Sequence, residues 1–167
     1  MDNYFDTVAK DWDDKPANIE RTNAIARELV KAFSKKKFSS ALEYGAGTGL
    51  LSVLLRNCFT SITLMDNSMQ MLSTSIEKIA NAKIHNIKPQ FFDLEHNNLD
   101  AKTFDVIYTQ MTLHHIVEID SIIGKFYKLI NNKGMLAIVD LYPEDGSFQD
   151  REFFGHNGFN PIYLKKY

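Results

Sequence analysis

Three glycines on alternate positions, Gly45, Gly47 and Gly49, follow Glu43-Tyr44 and precede an apolar stretch that starts at Leu50. Glycines so spaced allow positive φ and let a ligand approach the backbone closely. The dinucleotide fingerprint G-x-G-x-x-G would need its third glycine where Leu50 stands, and no Gly-Lys-Ser/Thr follows to build a phosphate loop. Asp66 lies 21 residues after Gly45. A strand-end carboxylate there can accept hydrogen bonds from both hydroxyls of a ribose. Asp93, in Phe91-Phe92-Asp93-Leu94, can accept from the exocyclic amine of an adenine with apolar groups packed on the base. Blander roles stand beside each of these. The glycines could be a turn that only packs strand on helix, Asp66 an N-cap for a helix near Ser68, and Asp93 a local loop bond. Taken together, three acids and a glycine loop after three successive strands describe an adenosine pocket.

Those residues need strands to carry them. Five short segments read as buried strands: Ser40–Tyr44, Ser61–Met65, Lys88–Phe92, Phe104–Thr109 and Gly134–Val139. Helical patterns at Leu50–Cys58, Ser68–Ala80 and Ile119–Ile130 lie between them, while Asp93–Thr103 is short and polar and predicts little or no helix. Alternating strands and helices predict an α/β fold, a Rossmann-like doubly wound and mostly parallel sheet of about five strands. Ligands then bind beyond the carboxyl ends of the strands. Before the first strand, Ile25, Leu29, Val30 and Phe33 form a helical stripe over Ile19–Phe33, with Pro16 as a break ahead of it. Lys35-Lys36-Lys37 sits where a helix C-terminus favours cations. A nucleic-acid patch is the sharper reading of those lysines, and no interleaved aromatic residue supports it.

The chain has 167 residues, with 19 Lys plus Arg against 21 Asp plus Glu and 44% apolar residues. That balance excludes the disordered class and gives no support to bulk polyanion binding. Length and pattern suggest a single domain over 1–167. No apolar run approaches the roughly 20 residues of a membrane-spanning helix. The start, Met1 to Asp6, lacks the basic and apolar regions of a secretion signal. One cysteine, Cys58, can form neither an internal disulfide nor a cysteine metal cluster. No histidine pair sits at metal-ligand spacing on a helix with an acid, so no metal is expected. The expectation is a soluble cytoplasmic protein.

With these residues in view, the chain resembles class I S-adenosylmethionine-dependent methyltransferases, especially the small-molecule branch related to the ubiquinone and menaquinone C-methyltransferases. The resemblance rests on Leu42 to Gly49, Asp66, Phe92-Asp93-Leu94, Phe104 to Thr109 running into Met111 to His115, and Asn132 to Leu136. Tyr4-Phe5-Asp6 and Asp11-Trp12-Asp13 add to it. It implies S-adenosylmethionine as cofactor and S-adenosylhomocysteine as product. It also implies that Gly45, Ala46 and Gly47 line the cofactor, with Glu43 orienting the loop or the methionine portion. Asp66 would hold the ribose, Asn67 and Met71 flank the adenosine, and Asp93 and Leu94 meet the adenine. Thr109 and Gln110 would lie beside the methionine moiety. Tyr4 and Trp12 would close a lid formed by residues 1–18 over a core at 40–140.

The implied reaction is direct displacement at a methyl carbon, which needs a base only when the acceptor must lose a proton. His114 and His115 are the candidates, with His156 in Gly155 to Phe159 a weaker one. The plain alternative for the pair is one surface and one packing histidine. The resemblance also implies a further helix and an antiparallel hairpin after the fifth strand, and residues 141–167 carry no pattern for them. The expectation is therefore a sheet without that hairpin, a short acceptor-side tail, and a fifth strand left as a bare edge, liable to pair with a second copy or to be covered by the tail. Two other readings remain: a cofactor-binding domain or partner subunit without catalysis, and an NAD-dependent oxidoreductase, which Leu50 disfavours. No Asn/Asp-Pro-Pro-Tyr/Phe motif follows the fourth strand, so a small molecule is the expected acceptor rather than a nucleic acid or protein.

Overall fold

The segment Ser40–Tyr44 forms β1 at the centre of the sheet, as its near-complete burial requires. In this computed structural model, residues 4–100, 102–148 and 154–164 are described. The elements are α1 (Tyr4–Val8), α2 (Pro16–Phe33), β1, α3 (Leu50–Leu55), β2 (Ser61–Asp66), α4 (Met69–Asn81), β3 (Ile87–Phe91), β4 (Phe104–Gln110), α5 (Ile119–Leu129), β5 (Ile130–Val139) and α6 (Pro161–Leu164). The strands lie in the order β3-β2-β1-β4-β5, and every pairing is parallel. Chain direction reverses its march between β1 and β4, so the switch point falls beside the glycine loop. The expected Rossmann-like sheet is thus present, and no described strand follows β5.

Alternation along the strands splits the core into two layers. Ala41, Ile62, Leu64, Val106 and Tyr108 pack with Leu29, Phe33, Leu51, Leu55 and Leu72 on one face. Leu42, Tyr44, Met65 and Ile107 pack with Ile122, Ile123, Phe126 and Leu129 on the other. The strictness of this alternation decides which strand-end side chains can reach one site.

Several boundaries differ from the sequence expectation for local reasons. Pro16 opens α2 as its first residue instead of only ending the preceding stretch, a position where its missing N–H costs nothing. The third helix stops at Leu55 and continues as a 3₁₀ turn, Arg56–Cys58, where the Asn86 amide donates to the Arg56 and Phe59 carbonyls at 2.8 and 3.0 Å. Pro89 is accommodated because β3 is an edge strand. β5 begins at Ile130, not Gly134, since Asn131 to Gly134 form a bulge inside the strand. Phe104 pairs with Ile130 but Val106 with Met135, which leaves three extra residues on β5. The Asp105 carboxylate accepts from the Asn131 amide at 2.8 Å and holds that bulge. β5 ends the sheet, and its residues are only partly buried.

Among the described residues, no helix is long and apolar enough to cross a membrane. Residues 141–148 and 154–164 fold against the ends of β4 and β5. His156 N donates to His114 O at 2.7 Å, and Phe159 N donates to Leu141 O at 2.7 Å.

Candidate functional site

At Gly45, Gly47 and Gly49 the chain takes positive φ, +66°, +54° and +73°, which turns β1 sharply into α3. Gly45 also lies so close to Thr112 that an added Cβ would sit 2.1 Å from Thr112 Cγ2. The turn is tied to the next strand: Ala46 N donates to Met65 O at 3.0 Å, and Gly47 N donates to Asp66 Oδ2 at 2.6 Å. Asp66 Oδ1 accepts from Ser68 N at 2.8 Å. Ser68 itself caps α4, its Oγ accepting from Met71 N at 3.2 Å, so Asp66 is released from the capping role. Burial pushes the Asp66 carboxyl up from its ordinary range, against the backbone bonds from Gly47, Ser68 and Asn67.

These residues open onto a cavity of about 260 Å³, near the lower end of small-molecule sites, which run from roughly 300 Å³ upward. Its walls include Glu43, Gly45, Ala46, Gly47, Asp66, Asn67, Met71, Asp93, Leu94 and Gln110, all expected from the sequence. Asp93 keeps a local role as well. Its Oδ1 accepts from Glu95 N and His96 N at 3.0 and 3.2 Å, and its Oδ2 meets His96 Nδ1 at 2.8 Å. Burial alone would raise its carboxyl, but the His96 bonds outweigh that and hold it below the usual range.

The N-terminal segment covers this cavity with Phe5, Trp12 and Asp13. Two carboxylates fasten it. Asp6 Oδ1 accepts from Ser68 Oγ at 2.5 Å and Gln70 N at 3.1 Å, at the positive end of α4. Asp13 accepts from Thr48 Oγ1 at 2.7 Å and from Lys78 Nζ at 2.5 Å, joining the cover to the glycine loop.

Three expected residues lie elsewhere. Tyr4 is 38% exposed and meets Phe5 edge-on at 5.5 Å, so Phe5 takes the inner position. Thr109 is buried away from the cavity; neighbours on a strand alternate, and Gln110 has the inward direction. His114 is 2% exposed and paired through Nδ1 with Asp140 Oδ1 at 2.7 Å. Asp140 also accepts from Thr112, Leu113 and Leu141 N, so the His114–Asp140 pair builds the turn after β4. Burial works against the Asp140 charge, but the His114 and backbone bonds outweigh it and keep the carboxyl below its ordinary range. His115 does line the cavity, its ring 5.1 Å from Phe5. His156 stands outside, with Nε2 3.4 Å from Val117 O. Among the described residues, no group of three or more His, Cys, Asp or Glu side chains is placed to hold a metal ion.

Sequence reasoning missed Asn18, Arg21 and Thr22 on α2, which line the cavity opposite the sheet. Arg21 Nε and Gln110 Oε1 are buried there without hydrogen-bond partners among the described residues. Asn18, Arg21, Thr22 and Ile25 recur at three and four, so these polar residues continue the apolar stripe toward the helix N-terminus. That spacing was the available signal.

Glu43 behaves differently from the other acids. Strand alternation turns its side chain into the apolar layer beside Ser52 and Tyr108. Ser52 Oγ donates to Glu43 Oε2 and lies 2.6 Å from Tyr108 Oη. Burial pushes the Glu43 carboxyl up to about 8, and Asp66 adds to this while Ser52 and Lys78 oppose it. The folded protein therefore keeps a proton that the unfolded chain releases above about 4.5. Stability should fall as pH rises from there toward 8. Melting temperatures of Glu43→Gln across that range should lose this slope; an unchanged slope would remove Glu43 as its source.

Comparison with known proteins bears on what this site belongs to. The family model described as a methyltransferase domain matches residues 18–162. An uncharacterised methyltransferase of Schizosaccharomyces pombe is 29% identical over 144 residues, 82% of this chain and 48% of that protein. A ribosomal RNA small subunit methyltransferase C of Buchnera aphidicola is 28% identical over 139 residues, 78% of this chain and 39% of that protein. The chain thus spans half or less of the length of these relatives. Among solved structures, the DhpI–SAH complex superposes with a TM-score of 0.75 at 19% identity, covering 98% of this chain and 81% of that one. The last of these is a likeness of fold. The family match takes in most of the chain, glycine loop and strand-end acids included, and on that ground the chain belongs to the methyltransferase domain family.

Proposed function

We propose that this chain binds S-adenosylmethionine and transfers its methyl group to a small-molecule acceptor. One observation carries the reading: the Asp66 carboxylate joins the glycine loop through Gly47 N and stands in the same cavity wall as Asp93. The residues fit the cofactor. A carboxylate has about four lone-pair sites; the backbone N–H groups of Gly47, Ser68 and Asn67 take three of them at Asp66, which leaves one for a ribose hydroxyl. Arg21 Nε is a donor without a partner among the described residues and Gln110 Oε1 an acceptor in the same position, matching the carboxylate and ammonium of the methionine end. Asp93 and Leu94 stand for the adenine, with Met71 and Asn67 between.

When bound, S-adenosylmethionine supplies a methyl group already activated on a cationic sulfonium. The protein's own work is to position and to exclude water. Phe5 and Trp12 close the cavity and give aromatic faces that favour a cation. His115 is the general base for an acceptor that must lose a proton; His114, held by Asp140, supports the turn that presents it. A cavity of about 260 Å³ and a net charge of −2 favour a small acceptor over a polyanion.

His115→Ala should lower methyl-transfer kcat by about 100-fold while S-adenosylhomocysteine affinity stays within about twofold. A matching loss of affinity would reassign His115 to cofactor binding. With methyl-labelled S-adenosylmethionine and a cell extract separated by size, label should appear in the small-molecule fraction. Label in RNA or protein would overturn the acceptor class.

A further inference from the structure

The loop at the proposed base end of the cavity is held from outside by one ammonium group. Lys125 Nζ on α5 donates to Leu94 O at 2.6 Å, Glu95 O at 2.7 Å and Asn97 O at 3.1 Å. An ammonium has three protons, and three carbonyls of one short loop take them. Converging carbonyl dipoles repel one another, so this loop shape requires a cation at their focus. From the cavity side the same loop is closed by Asp93, which accepts from Glu95 N and His96 N. Leu94 is 1% exposed, in the layer that contains Ile122, Ile123 and Phe126 of α5. The helix that supplies Lys125 is therefore fixed to the core on which Leu94 rests.

We propose that Lys125 is a positioning residue for base recognition, setting the backbone of residues 94–97 so that Asp93 and Leu94 meet the adenine in one orientation. This rests on the cofactor reading above. It assigns to a helix side chain outside the cavity the selectivity for one base over another. The ribose end, held by Asp66 on β2 and the glycine loop, is independent of it.

The test compares affinities of the full chain for S-adenosylhomocysteine and for its inosine counterpart, in which the 6-amino group is replaced by a 6-oxo group. A third ligand, the 3′-deoxyribose form, reports on the ribose end. In Lys125→Met the preference for adenine over hypoxanthine should shrink by about tenfold, equivalent to ~1.4 kcal/mol, with the ribose preference unchanged. Lys125→Arg keeps the charge but offers a planar fork in place of three converging protons, so it should shrink the base preference by about threefold. It also serves if the methionine variant does not fold. Lys128→Met, one turn further along α5, should leave both preferences as they are.

A base preference that survives in a folded Lys125 variant overturns the proposal, and so does an equal loss for all three ligands, which would mark general destabilisation. Failure of the wild-type protein to bind any of them would overturn the cofactor reading and this proposal with it. Binding with an unaltered base preference in the variants overturns this proposal alone.

Discussion

Asp66→Ala should bind S-adenosylmethionine about 10- to 100-fold more weakly than the wild-type protein, since a charge-assisted bond to the ribose of roughly 1.5–3 kcal/mol is removed. The loss has a second source. Asp66 is the acceptor for Gly47 N at 2.6 Å and Ser68 N at 2.8 Å, so alanine leaves both donors without that partner and loosens the glycine loop. Fold stability should suffer much less, because burial of the Asp66 charge already opposes folding. Asp66→Asn separates the two sources. Its Oδ1 can still accept from one backbone N–H while its amide nitrogen cannot accept from a hydroxyl. Calorimetric affinities of both variants, with melting curves alongside, give the check. Near-wild-type affinity in a folded Asp66→Ala protein would remove Asp66 from the site.

Gly45→Ala should be the most damaging substitution among the three glycines of the loop. The new Cβ would lie 2.1, 2.5 and 2.8 Å from the Cγ2, Oγ1 and Cβ of Thr112. Thr112 cannot easily give way, because its N donates to Asp140 Oδ2 and its Oγ1 lies within bonding reach of both Gly45 O and Gln110 O. Left-handed backbone costs an alanine about 1–2 kcal/mol, and overpacking adds about 1–3 kcal/mol. The melting temperature should fall by roughly 10 °C, and cofactor binding should be lost. Gly47→Ala is the contrast: its Cβ would meet only Met71 Sδ, at 3.8 Å, so the strain of φ +54° is its main cost to folding. A methyl group there still faces the cavity, and binding should weaken in a protein that melts nearly as before. Equal thermal losses in the two variants would refute this packing argument.

Much of the fold was legible because buried parallel strands announce themselves. Ser40–Tyr44 and Phe104–Gln110 are short segments with apolar residues between polar breaks, and their positions needed no tertiary information. The cap of α4 stayed open between Asp66 and Ser68 in the sequence, and the folded chain gives it to Ser68. The β5 bulge was not legible. Asn131 to Gly134 read as a turn, and it is the Asp105 carboxylate across the sheet, with Lys36 Nζ donating to Lys133 O, that ties them into the strand.

The site divides in the same way. An acid just after a strand marked Asp66 and Asp93, yet the same signal at Asp140 marks a carboxylate already engaged with His114 and three backbone N–H groups. Sequence cannot tell a carboxylate facing a cavity from one consumed by its own loop. Arg21 and Phe5 were hidden for the opposite reason. One continues a helical stripe, the other sits beside a more conspicuous Tyr4, and only the folded cover shows which ring turns inward. The inward turn of Glu43 follows from strand parity, but its proton depends on Ser52 and Tyr108, brought from α3 and β4.

The central claim is that this cavity holds S-adenosylmethionine by its ribose through Asp66. Calorimetric titration of the wild-type protein with S-adenosylmethionine, S-adenosylhomocysteine and NAD tests it most directly. Saturable one-to-one binding of the first two, none of NAD, and loss of both in Asp66→Ala are the predicted results. A well-folded wild-type protein that binds neither S-adenosyl compound, or that binds NAD in their place, would contradict the account.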